Sequence, residues 1–243
     1  MKLIIVENYE ELSKRAAQII SDAINENPRL VLGLATGGTP LGTYRELIEM
    51  YKQGKVSFKQ VRTFNLDEYL GLDPAHPSSY HHYMFTNLFN HIDMNPAQVR
   101  IPNGLAEDLA KECVEYEQAI AAAGGIDLQL LGLGVNGHIG FNEPHTPFGS
   151  VTQVVDLAQE TIEANARFFE RKEDVPRQAI SMGIKSIMQA RRILLMANGS
   201  SKAWAVERLV QGPVTEEVPA SVLQLHPDVT VLVDREAAAN LKS

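Results

Sequence analysis

Apolar runs of strand length recur along this chain with amphipathic helical patterns between them, and that alternation restricts the fold more than any other feature. The runs are KLIIV (2–6), LVLGLA (30–35), VRTFNL (61–66), DLQLLGL (127–133), QAISMGI (178–184), RILLMA (192–197) and VTVLVD (229–234). Several are nearly continuous rather than alternating, as a strand covered on both faces requires. In 9–25, Leu12, Ala16, Ile19, Ile20, Ala23 and Ile24 share one helical face. The segment 40–53 opens with Pro40, which suits a first helical turn. Ser78 and Ser79 are candidate N-caps for a helix over 78–92, and 105–123 and 200–211 read as two more helices. Strands alternating with helices predict an α/β fold, a modified doubly wound and mostly parallel sheet with helices on both faces. No repeat or low-complexity linker divides the chain, so residues 1–243 read as one domain.

The composition narrows the partners. Hydrophobic residues make up 44% and charged residues 21%, as in ordinary globular proteins. The net charge is −8 and basic residues do not cluster beyond pairs such as Arg191–Arg192, which argues against nucleic acid and anionic membrane surfaces. No apolar run approaches the ~20 residues of a membrane span. A single cysteine, Cys113, allows no internal disulfide, and the opening MKLIIVENYEELSK meets Glu7 too soon for an export signal. The expected compartment is therefore the cytoplasm. An acidic protein of this kind binds a small anion only with a local site of backbone N–H groups and a few placed cations.

In open α/β sheets, ligands bind beyond the carboxyl ends of the strands. The loops there are 35–40 (ATGGTP), 65–71 (NLDEYLG), 133–147 (LGVNGHIGFNEPHTP) and 197–202 (ANGSSK). Gly132, Gly134 and Gly137 have the G-x-G-x-x-G spacing of a dinucleotide site, with Asp156 further on. That fingerprint needs a helix to start among the glycines. Gly140, Pro144 and Pro147 prevent one, so no nicotinamide or flavin cofactor is expected. What remains is a long irregular loop carrying His138, Glu143 and His145. His138 with Glu143 is a possible acid/base pair. A zinc site using His138, His145 and His81 or His82 is the rival, but there is no H-E-x-x-H and no cysteine cluster, so no metal is expected. Gly37 and Gly38, with Thr36 and Thr39, precede a helix and can cradle one phosphate. Asp67 and Glu68 are adjacent carboxylates past a strand, either of which could serve as a general base; spacing does not choose between them.

Taken together, LATGGTPLGTY, FNLDEYLGL, SSYHHYM, GLGVNGHIGFNEP, ANARFF and GSSKA resemble the glucosamine-6-phosphate deaminase family over nearly the whole chain. The related 6-phosphogluconolactonases share the phosphate loop but continue differently after the Gly-His. The resemblance implies conversion of D-glucosamine 6-phosphate and water into D-fructose 6-phosphate and ammonia, without a cofactor. It implies that His138 opens the sugar ring, that Glu143 orients His138, and that Asp67 moves the C2 proton to C1. It implies a phosphate clamp of Thr36, Gly37, Gly38, Thr39, Arg167 and Lys202. Many members have Asp where this chain has Asn136, which can orient the imidazole but brings no charge. A 6-phosphogluconolactonase-like hydrolase and a non-catalytic sugar-phosphate sensor are the alternatives; the sensor would need a DNA-binding unit, and no helix-turn-helix precedes the first strand. Longer members are hexamers activated by N-acetylglucosamine 6-phosphate through basic side chains soon after the FNEP loop. The matching stretch GSVTQVVDL (149–157) has no Lys or Arg, and the chain stops at Ser243 without a C-terminal extension. A monomer or small homo-oligomer with non-allosteric kinetics is expected.

Overall fold

The apolar runs pair largely as the alternation predicts. The computed structural model describes residues 1–166, 169, 171 and 174–242. In chain order the strands are β1 (Lys2–Val6), β2 (Val31–Leu34), β3 (Arg62–Asn65), β4 (Asp67–Tyr69), β5 (Val99–Arg100), β6 (Leu128–Gly132), β7 (Gln153–Asp156), β8 (Gln178–Ser181), β9 (Arg192–Ala197) and β10 (Val229–Asp234). The helices are α1 (Tyr9–Glu26), α2 (Leu41–Lys52), α3 (Tyr80–Asn87), α4 (Leu109–Ala122), α5 (Gln159–Asn165), α6 (Ile184–Met188) and α7 (Ala203–Gln211). A parallel sheet runs β1-β10-β9-β6-β2-β3-β5. Its strands bury Leu32, Leu130, Leu194 and Leu232 completely or nearly so. The residues expected on the inner face of α1, from Leu12 to Ile24, are buried apart from Ile19, which packs against the core at its rim. Asn8 caps that helix, its side chain accepting from Glu11 N at 3.0 Å. Among the described residues, no helix is long and apolar enough to cross a membrane.

One expected strand does not join that sheet. QAISMGI supplies β8, which pairs antiparallel with β4 and β7 in a separate three-stranded sheet. A short apolar run has the same pattern in either sheet, so periodicity could not assign it. β4 and β7 were not visible in the sequence for a related reason. β4 is the polar DEY, and β7 is half-exposed QVVD. Each is a strand only because β8 lies between them.

The order of the large sheet sets the site. From β2 the chain builds outward through β3 to β5, then returns to place β6 on the other side of β2. The loops after β2 and β6 therefore diverge from neighbouring strand ends, and the crevice between them is where an open sheet binds ligands. The small sheet sits beside this crevice: Leu66 N donates to Leu34 O at 3.0 Å, and Met182 N donates to Leu66 O at 2.7 Å. Those two bonds join the end of β2, the start of β4 and the end of β8.

Candidate active site

A cavity of about 740 Å³ opens at the crevice, lined by the loops after β2, β3, β6 and β9 and by the start of α3. Thr36, Gly37, Gly38, Thr39, Asp67, Asn136, His138 and Lys202 all line it. Glu143 stands behind His138. Arg167 lies outside the described residues.

The two adjacent carboxylates have separate roles. Glu68 turns to the N-terminus of α3. Its Oε1 accepts from Tyr69 N and Tyr80 N, each at 2.9 Å, and its Oε2 accepts from His81 N at 2.8 Å. Burial pushes its pKa up, and those bonds limit the rise. It is thus committed to capping the helix, alongside Ser79, whose Oγ accepts from His82 N at 3.0 Å. Asp67 is 6% exposed, and no described residue donates a hydrogen bond to its carboxylate. Burial, together with the charge of Glu68, pushes its pKa up to about 8. It is a carboxylate of unusual basicity facing a cavity.

The glycine-rich loop after β6 carries no helix as far as Ser150, as Gly140 and the prolines require. Its glycines serve the histidine. A Cβ on Gly134 would lie 2.3 Å from His138 Nδ1, so only glycine lets the imidazole lie against the backbone there. Gly137, at φ +85°, turns the chain in the left-handed region. His138 Nδ1 is 2.8 Å from Asn136 Oδ1 and 3.3 Å from Glu143 Oε2. Both are acceptors, so Nδ1 carries the ring proton and Nε2 of the neutral ring is the free acceptor. Asn136 Nδ2 donates to Glu143 Oε2 at 2.8 Å, and Thr161 of α5 donates through Oγ1 to Glu143 Oε1. Burial works to raise the pKa of Glu143. Hydrogen bonding to and the charge of His138, with the bonds from Thr161 and Asn136, outweigh it and hold the carboxyl below its ordinary value.

Across the cavity the loop after β2 is tied back by its carbonyls. Tyr83 Oη donates to Gly37 O at 2.6 Å, and Tyr9 Oη lies 3.1 and 3.0 Å from the carbonyls of Gly38 and Thr39. Gly37 takes φ +100°, which glycine permits at no steric cost. Among the described residues, no protein group accepts from the N–H of Thr36, Gly37, Gly38 or Thr39. They precede α2 and suit an anion. Thr39 Oγ1 donates to Asn198 Oδ1 at 2.7 Å, fixing this loop to the one that carries Lys202.

Sequence reasoning missed the supports. Thr161, Tyr9, Tyr83 and Asn198 hydrogen-bond the candidate groups or their loops, and Arg45 of α2 is a further cation on the cavity wall. Tyr83 lay within a motif already singled out. Thr161 is eighteen residues from Glu143, with no local signal joining them. The histidines of the zinc alternative are dispersed: His81 stacks on Phe85 at 4.5 Å and His145 is exposed. Among the described residues no three His, Cys, Asp or Glu side chains gather as metal ligands would.

Residues 6–232 match the family profile described as Glucosamine-6-phosphate isomerases/6-phosphogluconolactonase. A glucosamine-6-phosphate deaminase of Thermoanaerobacter pseudethanolicus is 58% identical over 98% of this chain and 94% of its own length. One of Clostridium botulinum is 54% identical over 100% and 99%. Among solved structures, a monomeric glucosamine-6-phosphate deaminase superposes with a TM-score of 0.98 at 53% identity, covering 99% of this chain and all of the other. A 6-phosphogluconolactonase of Trypanosoma cruzi has a TM-score of 0.78 at 22% identity, covering 100% of this chain and 97% of its own, a likeness of fold alone.

Proposed function

The chain belongs to the glucosamine-6-phosphate isomerase/6-phosphogluconolactonase family, and from that premise we propose how its residues carry out the deaminase reaction. The reaction is the isomerisation and deamination of D-glucosamine 6-phosphate to D-fructose 6-phosphate and ammonia, the activity of its relatives at 54–58% identity over nearly the full chain. His138 takes the proton of the C1 hydroxyl on Nε2 and returns it to the ring oxygen, opening the ring. Glu143 and Asn136 keep its Nδ1 protonated and aimed. Asp67 then removes the proton from C2 as the aldehyde oxygen gains one, giving an enolamine. The same carboxyl returns the proton to C1, leaving a C2 imine; water adds there and ammonia leaves. A carboxyl whose burial raises its basicity suits the abstraction of a proton from carbon.

The N–H groups of Thr36 to Thr39, with Lys202 and Arg167, hold the 6-phosphate. One observation carries this reading. Asp67 and His138, two independent proton carriers, share a single cavity with an N–H-rich turn before a helix. A lactone hydrolase has no use for a buried base toward carbon. We place the protein in the cytoplasm, in the breakdown of amino sugars, acting as a monomer or small homo-oligomer. Its one cysteine is buried and unpaired, and its substrate is an anion that does not cross membranes unaided. The test is incubation with D-glucosamine 6-phosphate, following ammonia and fructose 6-phosphate, with 6-phosphogluconolactone in parallel. Release of ammonia in equal amount to fructose 6-phosphate is expected. Lactone hydrolysis without ammonia would overturn the proposal.

A further inference from the structure

We infer that Thr161 is a positioning residue for the acid/base group, holding Glu143 in the orientation in which that carboxylate keeps His138 Nδ1 protonated. The inference rests on the reading of His138 and Glu143 as the ring-opening pair. Among the described residues, Glu143 is the only carboxylate in contact with the His138 ring, since Asn136 is neutral. Its two oxygens are divided. Oε2 takes Asn136 Nδ2 and faces His138 Nδ1, while Oε1 takes the hydroxyl of Thr161. A carboxylate gripped at one oxygen can swing about its last side-chain bond, whereas one gripped at both cannot. Thr161 is therefore the group that fixes the plane of the carboxylate. It is placed to do so by tertiary packing, not by the loop itself. It is 6% exposed and lies on α5, whose next residue, Ile162, packs against the cluster of Tyr69, Phe141, Leu157 and Ala179. Phe141 is itself two residues from Glu143, so helix and loop are held to each other on both sides of the hydrogen bond.

Thr161 also lines the cavity. Its methyl and hydroxyl could instead act on substrate, and the experiment separates the two. Thr161→Val keeps the shape and removes the donor; Thr161→Ser keeps the donor. Glu143→Gln and the double variant Thr161→Val/Glu143→Gln complete the cycle. The only titratable group facing Glu143 among the described residues is His138, on the same loop, which is charged only when protonated; Asn136 and Thr161 are neutral. Loss of a donor to the ionised carboxyl raises its pKa. Thr161→Val is expected to lower kcat about ten- to hundredfold, the worth of a hydrogen bond to a charged group, with little change in KM. The inflection due to Glu143 on the acid side of the kcat/KM profile is expected to move to higher pH, and Thr161→Ser to restore both. Because Thr161 acts through Glu143, the double variant is expected to be no slower than Glu143→Gln alone. A Thr161→Val variant with wild-type kcat and pH profile would overturn the inference, as would a double variant slower than Glu143→Gln by the full Thr161→Val factor. Full activity in Glu143→Gln would overturn the acid/base reading itself, and the inference with it. If the valine variant does not fold, Thr161→Ser must still match the wild-type profile, and a shifted one would count against the inference.

Discussion

Asp67 and Glu68 are neighbours of the same chemical kind, and their surroundings give them different work. Two N–H groups of α3 and that of Tyr69 occupy Glu68, while Asp67 faces the cavity. Two consequences follow for Asp67→Asn, which keeps the shape and removes the base. Deuterium exchange at C2 of bound substrate should cease and kcat fall by ~10²–10⁴-fold, the usual worth of a positioned base. Persistent exchange would move the role elsewhere. The variant should also be the more stable protein, in a pH-dependent way. The unfolded carboxyl titrates near ~4, the folded one at about 8. Between those values the folded state holds the extra proton. Its contribution to stability is therefore fully present below about pH 4 and is lost as the pH rises through about 8. Asparagine has nothing to titrate. Thermal unfolding of the two proteins should diverge from pH 4 to pH 8, the variant gaining, by up to a few kcal/mol. A constant gap would mean that the folded fold does not resist ionising Asp67.

At the scale of elements, the site is made of loops that only certain residues can form. The turn after β6 looks like a dinucleotide fingerprint and is not one. Gly134 is needed because the His138 ring lies where its side chain would be, so Gly134→Ala should displace the imidazole. The expected result is a large fall in kcat, of about a hundredfold or more, with the fold intact by circular dichroism. A fully active alanine variant would show that the ring tolerates another position. In the proposed phosphate clamp the turn after β2 offers its N–H groups, and the bond between Thr39 and Asn198 ties it to the loop that carries Lys202. The phosphate is remote from C1 and C2. Lys202→Ala should therefore act chiefly on KM for the phosphorylated sugar, with kcat reduced only so far as phosphate binding also orients the reacting carbons. An unchanged KM in a folded variant would remove Lys202 from the clamp. These loops were legible in the sequence because each is a cluster of glycine and ionisable residues at a strand end. Their supports were not: Tyr9 and Thr161 reach their partners across the fold with no pattern nearby in sequence to mark them, and Tyr83, although it lies within SSYHHYM, carries no local sign that it reaches Gly37.

At the scale of the molecule, the segment 149–157 is where longer relatives are expected to hold their activator, and here it is closed by a carboxylate. Glu117 Oε1 accepts from Thr152 N at 2.9 Å and from the hydroxyls of Thr152 and Ser186, each at 2.5 Å. This joins α4 to the small sheet and to α6. A phosphate arriving there would meet a partly buried carboxylate instead of a cation, and like charges repel. Rate against substrate concentration should be hyperbolic, and N-acetylglucosamine 6-phosphate should leave its shape unchanged. A sigmoidal curve that the effector makes hyperbolic would mean an activator site elsewhere on the chain. Sedimentation velocity on the same sample would give the oligomeric state.

The α/β class, six of the seven strands of the large sheet and the four loops that form the cavity were legible in the amino-acid sequence. They were legible because hydrophobic periodicity and turn chemistry are local properties, read within a few residues. The seventh strand, the two residues of β5, is too short to carry a pattern. Folding in three dimensions was needed to place QAISMGI in a second sheet, to turn Asp67 rather than Glu68 toward the cavity, and to bring Thr161 to Glu143. Each of those depends on which distant backbone or side chain arrives beside a residue: α3 claiming Glu68, β8 drawing β4 and β7 into pairing, α5 coming down on the loop. The energies involved, desolvation of a carboxyl and hydrogen bonds to a charge, depend on three-dimensional surroundings that no short stretch of sequence contains.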